Sequence, residues 1–94
     1  MTENPICDVR YLNHIGIVVR DIEATLKFYS EVFGLEGVEI EDVPDQGVKA
    51  VLVRVGGSQL EFIQPIDSHG SVARFIERRG EGVHHLCFEV GDLQ

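Results

Sequence analysis

The sequence contains no hydrophobic run that approaches the roughly 20 residues of a membrane-spanning helix. Its first eight residues are polar and have no apolar segment typical of a secretion signal. Only two cysteines are present, Cys7 and Cys87, and their separation matches no recognisable motif. We therefore expect a cytoplasmic protein with two reduced thiols and no membrane contact.

Basic residues are also scarce, since 8 Lys and Arg stand against 16 Asp and Glu and give a formal net charge of −8. A nucleic-acid-binding surface needs a basic stripe, so this charge argues against nucleic acid as a partner. The content of 44% hydrophobic and 26% charged residues is typical of one small globular domain over residues 1–94. The sequence has no low-complexity segment and no block of like charge, and disorder is not expected.

The sequence does contain a repeat of its own beginning. Residues 12–23 read LNHIGIVVRDIE, and residues 83–94 read VHHLCFEVGDLQ. The residues shared at matching places are His14/His85, Val19/Val90 and Asp21/Asp92. An offset of 71 residues exceeds the usual solenoid periods and indicates duplicated modules. We therefore expect one complete module and the first strand of another.

The pattern of apolar and turn residues predicts an α+β fold with the order β-α-β-β-β, a connecting helix and a further strand. Asp21 is a suitable N-cap for the first helix, and Gly34 can end it in a left-handed conformation. Ser71 is the expected cap of the connecting helix. The expected strands are 11–19, 37–42, 48–55, 59–63 and 83–90. The first module then covers about 11–65, the connecting helix 71–79 and the partial second module 83–94.

Successive side chains of a strand point to opposite faces of a sheet, which sorts the strand residues into two sets. One set is apolar and suited to packing against the first helix. In the last strand this apolar set consists of Leu86, Phe88 and Val90. His14, Glu61 and His85 lie on three strands and fall in the opposite set. The alternation predicts which face they share but not whether they converge.

Two imidazoles and one carboxylate suit a divalent first-row metal such as Zn, Co, Ni, Mn or Fe, and leave coordination positions open for substrate. A lone strand histidine is more often structural or exposed than a ligand, and His69 and His84 are interpreted in that way. For His14 and His85 the repeated position favours a shared site. Gln46, in the loop before the strand at 48–55, could contact a ligand but is equally part of a turn.

Five motifs occur in the order LNHIGIVV-x-DIE, FY-x-x-x-FG, PDQGV, LEFIQP and GVHHLCFEV. Together they resemble the methylmalonyl-CoA epimerases of the vicinal oxygen chelate superfamily, which also contains glyoxalase I and the extradiol dioxygenases. The resemblance runs from about Leu12 to the end of the sequence. It implies a glyoxalase-like fold in which two βαβββ modules pair into a cupped sheet around one metal ion.

The resemblance also implies a ligand set. His14, Glu61 and His85 would bind a divalent metal such as Co, Zn, Mn or Ni, and His84 would point away. Gln46 would help to position an acyl-CoA substrate.

The implied activity is that of an isomerase. The metal would stabilise an enolate that forms when the α-proton of methylmalonyl-CoA is abstracted. A fourth family ligand, a glutamate, would lie beyond Gln94, so the sequence resembles a C-terminally truncated epimerase. A second family carboxylate falls on Ala50, which leaves the catalytic acid and base unknown.

Two alternatives stay open within the same fold. The first is a glyoxalase-type lyase or a ring-opening dioxygenase of the same superfamily. The second is a non-catalytic module that binds a small molecule. A homodimer is a further expectation, although no residue pattern indicates one.

Overall fold

The computed structural model describes residues 6–91, which form a mixed five-stranded sheet and two α-helices. The strands are β1 (Val9–Val18), β2 (Glu41–Val43), β3 (Val48–Val55), β4 (Ser58–Pro65) and β5 (Gly82–Val90), and the helices are α1 (Ile22–Phe33) and α2 (Ser71–Arg79). The predicted α+β class is confirmed. Asp92, the counterpart of Asp21, lies outside the described residues. Neither helix in the described range is long and apolar enough to cross a membrane.

The strand order is β2-β3-β4-β1-β5, so the first strand of the sequence lies inside the sheet between β4 and β5. The β1–β4 pair is parallel, whereas β1–β5, β3–β4 and β2–β3 are antiparallel. Because β1 has a neighbour on each side, side chains from three strands can meet on one face.

Helix α1 begins and ends as the capping residues predict. The Asp21 carboxylate accepts a hydrogen bond from the backbone N–H of Ala24, and Gly34 has a left-handed φ of 69°. The side chain of Gln64 in β4 accepts a further bond from the N–H of Ile22 at 2.8 Å. This bond connects the start of the helix to the sheet and was not foreseen from the sequence.

Helix α1 covers one face of the sheet and forms the first part of the core. The buried residues of this cluster are Val19, Ile22, Val51, Val53 and Phe62. The ring of Phe62 lies 4.9 Å from that of Tyr29, centroid to centroid. Val51 and Val53 of β3 and Phe62 of β4 therefore share the face that α1 covers.

Helix α2 packs against the opposite face and covers one end of it. Val18, Val48, Ile63 and Val72 form the second buried cluster. The predicted N-cap was wrong by one residue, because Gly70 occupies that position with an extended backbone and Ser71 is the first helical residue.

Two details of the strands also differ from prediction. The strand expected at 37–42 is reduced to β2 at Glu41–Val43 and one bridge between Gly37 and Val53. Gly37 lies opposite Val53, and Glu41 lies opposite Ala50. The segment is therefore four residues long between these two pairings, whereas β3 is three residues long between them. A continuous ladder cannot form across that mismatch.

The apolar side chains of β5 do not pack as predicted. Leu86, Phe88 and Val90 were expected to lie against the first helix, but all three are exposed. Strand β5 is at the sheet edge, beyond the part of the sheet that α1 covers.

The core predicts a strong dependence of stability on Phe62, which is 1% exposed. Phe62→Ala should lower the free energy of unfolding by about 3–5 kcal/mol, because it leaves a cavity beneath α1. Phe28→Ala, at a ring that is 55% exposed, should cost about 1 kcal/mol or less. Urea denaturation followed by circular dichroism measures both, and equal losses would contradict this description of the core.

Candidate metal centre

A row of cross-strand neighbours runs across the sheet on the face opposite α1. Leu52 of β3 pairs with Glu61 of β4, Glu61 with Gly16 of β1, and Gly16 with His85 of β5. His14 precedes Gly16 by two residues and therefore lies on the same face of β1. Glu61 and His85 thus stand on either side of β1, with a residue that lacks a side chain between them.

The side chains of the three predicted ligands converge above this row. Nε2 of His14 lies 3.3 Å from Nε2 of His85 and 3.5 Å from Oε1 of Glu61. Nε2 of His85 is 3.4 Å from the same carboxylate oxygen. The three side chains are 20%, 37% and 27% exposed for His14, His85 and Glu61, so one side of the cluster is open to solvent.

The spacing of these atoms fits a small divalent cation. Tetrahedral ligands at about 2.1 Å from a metal are separated from one another by about 3.4 Å. The three distances in the cluster lie between 3.3 and 3.5 Å. Two imidazoles and one carboxylate also match the donor sets of catalytic zinc and related metals.

The hydrogen bonds of His14 set the proton on the ring nitrogen that faces away from the cluster. The Oδ1 atom of Asn13 can only accept, so Nδ1 of His14 donates to it across 2.9 Å. The Nδ2 atom of Asn13 donates to the Glu89 carboxylate, and this bond fixes which way the Asn13 amide is turned. A neutral His14 then presents the lone pair of Nε2 to the cluster, which is the tautomer that binds a metal.

His84 does not point away from the site, and this part of the implied ligand arrangement was wrong. Its Nδ1 lies 2.9 Å from Nδ1 of His85, so one imidazole donates to the other. The physical reason is a β-bulge. Gly16 pairs with His85 but Ile17 pairs with Val83, which leaves His84 as the extra residue of β5.

Asn13 occupies a second bulge, on β1. Leu12 pairs with Phe88 and His14 pairs with Cys87, so Asn13 has no partner in the ladder. Sequence reasoning missed both Asn13 and Gly16. The available signals were an asparagine and a glycine inside a strand, where these residue types are depleted and where glycine often marks a close approach.

A cavity of about 550 Å³ lies beside the cluster, between the sheet and the start of α2. This volume falls within the usual range for small-molecule sites. Gln46, the predicted substrate contact, lines it at the end of the 3-10 turn Pro44–Gln46. Ala50 also lines it, so the position of the second family carboxylate presents only a methyl group. Besides Glu61 and His85, the titratable lining residues are Asp45 and His84.

Asp67 shapes the loop at the rim of this cavity. Its carboxylate accepts hydrogen bonds from the backbone N–H groups of His69 and Gly70, at 2.9 and 3.2 Å. These bonds lower the pKa of Asp67 below its ordinary value of 3.8. In the same loop the N–H of Ile66 donates to the carbonyl oxygen of Gly47, next to Gln46.

The family model of the glyoxalase/bleomycin resistance protein/dioxygenase superfamily matches residues 13–94. This chain belongs to that superfamily. The resemblance drawn from the sequence motifs and the predicted glyoxalase-like fold are therefore confirmed.

The chain is also similar to named epimerases. It is 31% identical to the mitochondrial methylmalonyl-CoA epimerase of Mus musculus, with 96% of this chain and 51% of that protein covered. It is 34% identical to the ethylmalonyl-CoA/methylmalonyl-CoA epimerase of Cereibacter sphaeroides, with 87% of this chain and 62% of that protein covered.

A solved structure of a Streptomyces coelicolor methylmalonyl-CoA epimerase variant, in complex with 2-nitronate-propionyl-CoA, superposes with a TM-score of 0.80. The identity is 31%, over 86% of this chain and 60% of that one. The chain spans about half the length of the mammalian curated relatives that it matches.

The Asp67 loop predicts a specific response to acid. A carboxyl group with a lowered pKa stabilises the folded state above its ordinary pKa, and this contribution is lost as pH falls through the lower folded value. Asp67→Asn removes that contribution, so the variant should lose less stability than the parent protein between about pH 5 and pH 2.

Urea denaturation across this pH range measures the effect, and Asp42→Asn, at an exposed carboxylate of β2, is the matched control. Hydrogen exchange at neutral pH should also become faster at the amides of His69 and Gly70 in the Asp67 variant. An unchanged pH dependence together with unchanged exchange would refute this role of the carboxylate.

Proposed function

We propose that this chain carries the metal site of a methylmalonyl-CoA epimerase and acts on the α-carbon of a malonyl-type thioester. The observation that supports the proposal most directly is the spacing of 3.3–3.5 Å among one carboxylate oxygen and two imidazole nitrogens. Similarity to proteins named as methylmalonyl-CoA epimerases supports the substrate class.

A divalent cation held by His14, Glu61 and His85 would supply Lewis-acid stabilisation of the negative charge that develops on the thioester oxygen. The thioester carbonyl acidifies the adjacent α-proton, so a moderately basic group can remove it. Asn13 contributes by keeping Nε2 of His14 free of its proton. The ligand of the S. coelicolor enzyme supports this chemistry, because a nitronate, like an enolate, is a planar anion with its charge on oxygen.

The cavity beside the cluster has room for the malonyl end of such a thioester. Gln46 lines it and can donate from its side-chain amide to a carbonyl or carboxylate oxygen. Asp45 and His84 line the same cavity and are the other groups able to hold a proton there. The cavity therefore offers one side-chain amide donor and two groups that can carry a proton beside the proposed metal site.

Metal binding is the first test. Titration with Co²⁺, followed by visible absorption and equilibrium dialysis, should give one bound ion per chain. His14→Ala and Glu61→Gln should each weaken binding by more than about 100-fold, because each removes one of three protein ligands. His69→Ala is the matched control, because His69 does not belong to the His14–Glu61–His85 cluster.

Turnover is the second test. Methylmalonyl-CoA incubated with the Co²⁺-loaded protein in deuterated water should gain deuterium at the α-carbon, and His14→Ala should abolish the gain. Failure of the wild-type chain to bind Co²⁺ would refute the metal site. Metal binding with isomerisation of a glutathione hemithioacetal instead would favour a lyase, and binding without turnover of either compound would favour a non-catalytic module.

The predicted compartment is also a proposal. Cys7 and Cys87 are both free thiols, which supports a reducing environment such as the cytoplasm. The homodimer stays a prediction.

A further inference from the structure

Gly16 lies at the centre of the candidate metal centre without contributing a ligand. It pairs with Glu61 on one side and with His85 on the other. Neighbouring strands are separated by about 4.8 Å, so Glu61 and His85 start almost 10 Å apart across β1. Their side chains reach a separation of 3.4 Å between Oε1 and Nε2 because both lean over β1.

The space above Gly16 is filled by the imidazole of His85. A Cβ atom built on Gly16 would lie 2.2 Å from Cε1 of His85 and 2.6 Å from both ring nitrogens. These separations are far below van der Waals contact, so the ring and any side chain at position 16 exclude one another. All three of the nearest atoms belong to His85, so backbone is not among the closest contacts.

Backbone conformation does not account for this glycine. The glycines with positive φ are Gly34, Gly47, Gly56 and Gly80, and Gly16 is not among them. A side chain at position 16 would meet no conformational penalty in β1, and alanine is favoured over glycine inside a strand. The requirement at this position is therefore one of space above the strand.

We propose that Gly16 is a positioning residue, whose missing side chain gives the His85 imidazole room to cross β1 and join His14 and Glu61. This inference rests on the proposed metal site. It adds that the absence of a side chain at position 16 of β1 allows the three ligands to meet. Gly16→Ala should turn the ring of His85 away and leave two of the three ligands in place. The fold should remain, because a side chain can rotate out of the clash.

The test compares Gly16→Ala with Gly82→Ala, a glycine of β5 that has no atom within 4 Å of an added Cβ. Co²⁺ affinity, measured by dialysis, should fall at least about 10-fold for Gly16→Ala and change by less than about twofold for Gly82→Ala. The visible spectrum of the Co²⁺ that still binds should shift, since one imidazole ligand is lost. The free energy of unfolding without metal should not decrease in either variant.

The double variant Gly16→Ala/His85→Ala identifies the cause. If the clash with His85 is the whole effect, adding Gly16→Ala to His85→Ala should not weaken Co²⁺ binding further. If Gly16→Ala unfolds, the expected rotation of the His85 ring is wrong, but recovery of the fold in the double variant would still assign the clash to His85 and support the proposal. A Gly16→Ala protein with wild-type affinity, or a double variant that is unfolded although His85→Ala folds, would overturn it.

Absence of Co²⁺ binding by the wild-type chain would refute the proposed function but would still leave this inference testable. Nuclear Overhauser effects between the rings of His14 and His85 report their proximity without a metal, since the ring centroids lie 5.4 Å apart. Loss of these signals in Gly16→Ala, with retention in Gly82→Ala, would support the positioning role. Retention in both would overturn it.

Discussion

The site depends on the convergence of three side-chain atoms that carry lone pairs and that the fold holds together. One carboxylate oxygen and two imidazole nitrogens lie within 3.5 Å of one another on a partly exposed surface. A neutral imidazole has one N–H group, and in His14 that group is at Nδ1 and donates to Asn13. Nε2 of His14 therefore has no proton to donate. A divalent cation placed between them would interact with all three lone pairs at once. The strand order, with β1 between β4 and β5, is the constraint that creates this arrangement.

Two β-bulges adapt the regular sheet to the site. Because Asn13 lies in a bulge, its side chain does not follow the regular alternation of β1. Its amide oxygen accepts the hydrogen bond that orients His14. The bulge at His84 lets its ring bond to His85 rather than project to the opposite face. Bulges bend a strand and redirect side chains, and they are common next to active sites. Both histidines of the cluster therefore have a neighbouring residue that fixes the ring by a hydrogen bond.

The sequence predicted the parts of the structure that follow from local patterns. Asp21 and Gly34 gave the limits of α1, and period-two alternation gave the shared face of His14, Glu61 and His85. It could not predict convergence, because strand order is set by long-range pairing that leaves no periodic signal. For the same reason it did not predict the bulges, which are shifts between partners, or the exposure of β5. The mismatch that shortens β2 is likewise a property of two segments together.

One face of the sheet changes from core to site over three successive rows. Val18 and Ile63 form the first row, and α2 buries them. Gly16 and Glu61 form the second row, about 7 Å further along β1, and His14 begins the third. A branched side chain in the second row, like that of Val18 in the first, would extend the core across the space that the His85 ring occupies. Val18 and Gly16 lie two residues apart on the same face of β1. The change from valine to glycine between them marks where core packing ends and where polar side chains can meet.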